Sequence, residues 1–252
     1  MVILMEVIND ILGYKNRKIV QDTNFFSFSL DSIMLANFVN IRYSDEKIID
    51  LGTGNGIIPL ILSLRTNANI EGVELQKKLC LLANKSIQLN NLNNQITIIN
   101  DNIKSFVNSN RNNMYDVITC NPPYFKFNEK SYLNLQKEKI IARHEIEITL
   151  AEIIITAKKL LKDGGNFAIV HRTERLVEIL DLLKKNKLEP KRIRFVFQNL
   201  QKESTLVLIE AQKNSKSGLK IEKPFILYNN DNTKTFEYDK LIREVNYESK
   251  EL

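Results

Sequence analysis

Residues Asn121-Pro122-Pro123-Tyr124 place a side-chain amide, two imino acids and a phenol directly after a short apolar run. Proline fixes φ and brings no N–H donor, so the carbonyls through this stretch are rigid and open to donors from outside. Two convergent acceptors suit a planar amine such as the N6 group of adenine, whose lone pair is delocalised into the ring. If the Asn121 side-chain oxygen and the Pro122 carbonyl hold its two N–H bonds, the nitrogen bends toward a tetrahedral shape. Its lone pair is then aimed at an electrophilic carbon. Tyr124 offers a flat face on which a flipped-out base can stack. No strong general base is needed, because an alkylated nitrogen is cationic and sheds its proton to water. The work is positioning and electrostatics. The plain alternative is a proline-stiffened strand exit with no chemistry.

Upstream lies Asp50-Leu51-Gly52-Thr53-Gly54-Asn55-Gly56. Glycines between a strand and a helix permit a tight turn and a close approach of backbone to ligand. A dinucleotide fingerprint would need glycine where Ile57 stands, and a phosphate-binding P-loop would need Gly-Lys-Ser/Thr. Asp50, just before the glycines, is poorly placed to receive pyrophosphate. It suits the cationic methionine end of S-adenosylmethionine. Glu74 ends the next strand and suits the two ribose hydroxyls. Asp101 follows the third strand and suits an adenine amine, with Ile103 against the ring. The candidate cofactor contacts are Asp50, Gly52, Thr53, Gly54, Gly56, Glu74, Leu75, Asp101 and Ile103, with Asn121 shared between cofactor and target. Helix capping by strand-end acids is the bland reading; three such acids in register weigh against it.

These residues need a frame that brings strand ends together. Apolar runs at 47–51, 70–74, 95–99, 116–120 and 166–170 read as strands, and helical patterns cover 57–65, 76–90, 148–161 and 173–187. Asp163-Gly164-Gly165 is expected to close the third of those helices, and Pro190 to stop the chain after the fourth. Strand alternating with helix argues for a parallel sheet covered on both faces. Strands at 192–198 and 204–211 share a short polar link, so they should pair as an antiparallel hairpin at the sheet edge. The expected architecture is α/β: a seven-stranded, mostly parallel, Rossmann-like sheet with a terminal antiparallel hairpin, the order of class I methyltransferases. Residues 45–212 would form this domain, 1–44 a lid segment, and 213–252 an extension packed on it.

The chain has 252 residues, 43% of them hydrophobic, enough for one core. No apolar run approaches the roughly eighteen residues of a membrane span. Met1-Val2-Ile3-Leu4-Met5 is followed at once by Glu6, unlike a signal peptide. Cys80 and Cys120 fit no metal or redox spacing, so reduced thiols in a cytoplasm and no metal are expected; a monomer is expected as well. The net charge of +6, from 36 Lys and Arg against 30 Asp and Glu, suits an anionic partner such as RNA, although a Lys- and Asn-rich composition also reaches it. Residues 125–143 interleave Phe125, Phe127 and Tyr132 with Lys126, Lys130, Lys137 and Lys139, a mixture suited to unpaired bases and phosphates or simply to a solvated loop. Lys15, Arg17 and Lys18 form another basic group; Lys184, Lys185, Lys187, Lys191, Arg192 and Arg194 read as a solvated helix end. His144 fits a structural role better than a phosphate contact, and His171 ends a strand near the cleft. Cys120 should turn away from the substrate by strand alternation.

Asp50 to Gly56 with Asn121 to Tyr124 resembles the amino-group methyltransferases of the class I fold. Phe26-Ser27-Phe28-Ser29-Leu30-Asp31-Ser32, Leu35-Ala36, Asn121 to Phe125 and Ala142-Arg143-His144-Glu145 resemble the bacterial tRNA-valine adenine-N6 methyltransferases over nearly the whole chain. The resemblance implies cofactor contacts at Asp50, Gly52, Gly54, Glu74 and Asp101, target contacts at Asn121 to Tyr124, and the adenine 3′ of the anticodon as substrate. Two readings compete. Methylation of a release-factor glutamine uses the same motif, but those enzymes carry a helical substrate domain before the glycine loop, and only 49 residues precede Asp50. A non-catalytic RNA-binding module would have little use for Asn121 and the cofactor acids. A guanine-N2 rRNA methyltransferase would more often end the motif in Phe.

Overall fold

The computed structural model describes residues 6–22, 30–107, 111–122 and 148–243, the side chains of residues 15 and 16 excepted. A hairpin of β1 (Glu6–Ile11) and β2 (Tyr14–Asp22) leads to helix α1 (Leu30–Phe38). Then follow β3 (Lys47–Leu51), α2 (Ile57–Leu62), β4 (Asn69–Glu74), α3 (Lys77–Leu89), β5 (Ile96–Asn100), the short α4 (Ile103–Phe106) and β6 (Tyr115–Cys120). The second half runs α5 (Leu150–Leu160), β7 (Leu161–Arg172), α6 (Leu176–Lys185), β8 (Leu188–Phe197) and β9 (Ser204–Lys213). Two short strands, β10 (Lys220–Ile221) and β11 (Phe225–Ile226), and α7 (Phe236–Ile242) complete it.

The main sheet has the spatial order β5-β4-β3-β6-β7-β9-β8, and β9 alone in that row is antiparallel to its neighbours. All seven expected strands are present. β10 and β11 add to the outer side of β8 in parallel, making nine. They are two residues each, too short for any periodic pattern, and only tertiary pairing reveals them. Their pairing covers the edge of β8, which would otherwise present open backbone groups. Arg192 and Arg194 hold this extension. Arg192 bridges Glu210 and Glu222 and stacks over Phe38, and Arg194 pairs with Glu237 over Phe225. Lys184 and Lys185 pair with Glu189 and Asp181. Most of that basic cluster is therefore neutralised within the fold.

Strand alternation splits the core between the two faces of the sheet. Ile48, Ile70, Ile96, Val117 and Ala168 pack with residues of α1 and α2, whereas Ile49, Leu51, Val73, Ile118 and Ile169 pack with residues of α5 and α6. Because both faces are covered, the central strands are near-continuous apolar runs. α5 starts at a capping box, in which Thr149 Oγ1 accepts from Glu152 N and Glu152 Oε2 accepts from Thr149 N. It ends at Leu160, earlier than the expected glycine stop. Gly164 and Gly165 lie inside β7 at a register shift against β6, where a Cβ on Gly165 would lie 3.0 Å from the Asp116 carbonyl oxygen.

α1 is built into the core: Ile33, Leu35 and Ala36 are fully buried. Arg65 donates to the carbonyls of Ala36 and Val39, and the Glu210 carboxylate accepts from Asn40 N. At the hairpin turn, Gly13 has φ +80°, and a Cβ there would overlap the Leu241 carbonyl. The N-terminal hairpin and the C-terminal helix therefore meet at that glycine.

Candidate functional site

The site forms where chain connections diverge to either side of β3, at the carboxyl edge of the parallel strands. This is the crevice that open α/β sheets offer to ligands. Leu51 pairs in register with Val73 on one side and Cys120 on the other, so the segments after β3, β4 and β6 converge there. An open cavity at this edge is lined by Gly52 and Gly54, by Glu74 and Leu75, by Asn102 and Ile103, and by Asn121 and Pro122. Leu79, Ile148 and Ile153 add apolar wall that no sequence motif marked.

The loop is held to β4 from behind. Gly52 N and Thr53 N both donate to the Val73 carbonyl, at 2.9 and 3.0 Å. Glu74, only 4% exposed, ties loop to strand end: Oε2 accepts from Gly54 N at 2.9 Å and Oε1 from Gln76 N at 2.8 Å. Gly52 and Gly54 have φ of +72° and +59°, and a Cβ on either would meet nothing within 4 Å. Their missing side chains leave the cavity open at the backbone. Gly56 differs: it too has a positive φ, +85°, but a Cβ there would press on Ala83 of α3. Thr53 turns inward, its methyl fitted over Gly72.

Asp50 sits behind the loop, fully buried and outside the cavity wall. Thr119 Oγ1 donates to its Oδ1 at 2.7 Å, while Oδ2 and the buried Thr53 hydroxyl have no aligned hydrogen-bond partner in the described structure. Burial pushes the Asp50 carboxyl up to about 7; the hydroxyls of Thr119 and Thr53 oppose this and the charge of Glu74 adds to it. An acid whose folded value is raised binds its proton more tightly folded than unfolded. Its penalty to stability begins near the unfolded value, grows as pH rises, and is complete at about 7. Asp50→Asn, which keeps the acceptor for Thr119, should therefore gain stability over the natural chain between about pH 4 and 7, by up to ~1.4 kcal/mol per pH unit. Urea melts across that range measure it; parallel profiles for the two proteins would remove the raised carboxyl.

Asp101 is one residue off the cavity wall. Its Oδ1 accepts from Asn102 N at 2.7 Å and from Ser105 Oγ at 2.6 Å at the start of α4, and the lining residues are Asn102 and Ile103. Asn121 and Pro122 form the wall after β6, and Asn121 Nδ2 donates to Ser32 Oγ of α1 at 2.8 Å. Cys120, expected to turn away, instead contributes to the lining, since the cavity reaches below the strand ends to Leu51 and Ile153. Its thiol is pushed well up by burial and by the charge of Asp50, so it stays protonated and inert. His171 lies off the wall, fully buried, its Nδ1 accepting from Arg172 N; burial and the nearby Arg175 push it down to about 4. Pro123, Tyr124, the basic aromatic stretch 125–143, His144 and residues 26–29 lie outside the described residues, as does the Lys15 side chain.

Among the described residues, no three His, Cys, Asp or Glu side chains are grouped to hold a metal, and no helix is long and apolar enough to cross a membrane. The family model of the methyltransferase small domain matches residues 16–187. The chain is 26% identical to a tRNA1(Val) (adenine(37)-N6)-methyltransferase of Parabacteroides distasonis, across 73% of this chain and 76% of that protein. The same enzyme of Tolumonas auensis is 30% identical, across 67% and 69% of the two chains. Among solved structures, a predicted O-methyltransferase from Agrobacterium tumefaciens superposes with a TM-score of 0.66 at 19% identity, covering 84% of this chain and 95% of that one. That likeness speaks for the fold alone.

Proposed function

Because this chain belongs to the methyltransferase small-domain family, we propose that it methylates the exocyclic N6 amine of an adenine in tRNA, with S-adenosylmethionine as donor and adenine 37 of a valine tRNA as target. One observation carries the reading: the glycine loop with Glu74 and the amine-acceptor residues Asn121 and Pro122 face one cavity. The relatives' named activity supports the choice of nucleoside and of tRNA.

The residues fit the cofactor. Gly52 and Gly54 leave a cradle that any Cβ would enter, and Glu74 presents a buried carboxylate to it. Glu74 would take the ribose hydroxyls, since each carboxylate oxygen accepts more than one donor. Leu75 and Ile103 would flank the purine, with Asp101 and Asn102 beside its amine. Asp50 is buried behind the loop, and a bound methionine ammonium would favour its ionised form. When bound, the cofactor supplies an electrophilic methyl group on a sulfonium. Asn121 Oδ1 and the Pro122 carbonyl accept the two N–H bonds of the target amine and turn its lone pair toward that side of the cavity. Tyr124 stacks on the flipped base, and the surplus proton leaves to water. Residues 45–212 form the catalytic unit, with α1 of the preceding segment packed into its core. A tRNA substrate supports a cytoplasmic location, and a monomer is the expected state.

The test is incubation with labelled cofactor and unmodified tRNA, followed by nucleoside mass spectrometry. N6-methyladenosine at position 37 of a valine tRNA is expected. A methylated release-factor glutamine with unmodified RNA would overturn the substrate.

A further inference from the structure

The hydrogen bond from Asn121 to Ser32 joins residues 89 positions apart, and nothing in the chemistry above requires it. It nevertheless bears on which atom Asn121 presents. A side-chain amide has two ends of similar size and opposite character: Oδ1 accepts, whereas Nδ2 only donates. The N6 amine of adenine brings donors to this position. An Asn121 amide turned the wrong way would set N–H against N–H, and the strand backbone does not choose between the two orientations. Ser32 gives the productive orientation a second bond, its hydroxyl accepting from Nδ2 at 2.8 Å; since a hydroxyl can also donate, it is the target amine that excludes the reverse.

The post on which Ser32 stands is rigid. Ser32 is in the first turn of α1 and 6% exposed. α1 and the residues after it are held by Arg65 at the Ala36 and Val39 carbonyls, by Tyr14 at Asn37, by Arg192 at the Phe38 carbonyl and by Glu210 at Asn40 N. These contacts reach the turn after α2, the hairpin and both strands of the sheet edge, so α1 is held within the core beside the sheet. A positioning group on a rigid, buried element holds a reacting side chain within the tolerance that such chemistry needs. We infer that Ser32 is a positioning residue that anchors the Asn121 amide through Nδ2, leaving Oδ1 for the target amine, and thereby couples the N-terminal segment to the reaction.

The inference rests on Asn121 holding that amine, and a double-mutant cycle separates the two. Ser32→Ala should slow single-turnover methyl transfer about tenfold, the effect of one lost hydrogen bond. Calorimetry should find its cofactor Kd unchanged, which also reports an intact fold. On the Asn121→Ala background the same change should cost less than about twofold, because the group it anchors is gone. In cofactor-free protein, the side-chain NH2 resonances of Asn121, identified by their absence from Asn121→Ala, should move in Ser32→Ala. A wild-type rate in Ser32→Ala, a full tenfold loss on the Asn121→Ala background, or unmoved resonances would overturn the role of Ser32 and leave Asn121 standing. A wild-type rate in Asn121→Ala would remove both.

Discussion

Asn121→Ala should slow single-turnover methyl transfer by roughly a hundred- to a thousandfold, about 3–4 kcal/mol, by analogy with removing one oxyanion-hole donor. The size follows from where the amide acts. Adenine's amine is a poor nucleophile until its N–H bonds are held, and that hold strengthens as the nitrogen loses its planarity. An interaction realised mainly in the transition state appears in kcat more than in substrate binding. The cofactor side should be nearly unaffected. Glu74 is held by Gly54 and Gln76, and the loop by Val73, none of which depends on Asn121. Nor should the fold suffer greatly, because the truncated side chain stands at a strand end and is only partly buried. The measurement is formation of N6-methyladenosine at saturating cofactor and tRNA, with cofactor affinity as the control. Methyl transfer at the wild-type rate would refute the mechanism.

Glu74→Ala should weaken S-adenosylmethionine binding by roughly 2–4 kcal/mol, about thirty- to a thousandfold in Kd. Two losses combine. The ribose hydroxyls lose their charged acceptor, and the backbone N–H groups of Gly54 and Gln76 lose theirs in a partly buried setting. Glu74→Gln should do little better. One amide end still accepts, but the other turns an NH2 donor against a backbone N–H, so the loop must shift. Calorimetry with the cofactor decides it, and wild-type affinity in Glu74→Ala would take this residue out of the site. Thermal melting of the cofactor-free protein should also fall, since the loop contacts exist before any ligand arrives.

Local pattern carried much of this protein's architecture. Lys47–Leu51 is a strand with the bounds its sequence implies, because a short apolar run stopped by glycines has few other stable conformations once buried on both faces. The glycine spacing marked a loop open to a ligand, and the alternation of strands and helices implied a parallel sheet with a crevice at its carboxyl edge. The hairpin of β8 and β9 followed from the shortness of its link. These features depend on neighbours in sequence, and so the sequence alone determined them.

Side-chain direction and distant pairing were decided only by the tertiary structure. Thr53 stands between two glycines that face the cavity, yet it turns into a notch that exists because residue 72 is glycine on another strand. Asp101 and Asn102 are adjacent and both polar, and only the start of α4 determines that Asn102, its N-cap, also lines the wall while Asp101 accepts from Asn102 N and Ser105 Oγ off the wall. Cys120 lines the cavity because its floor reaches to Leu51 and Ile153, a depth that strand alternation does not encode. β10 and β11 exist only because β8 offers an edge. Ser32 and Asn121 sit in motifs far apart along the chain, and their contact depends on α1 packing beside the end of β6. Periodicity and spacing fix the conformation of a segment, whereas the partner of a side chain depends on how segments pack against one another.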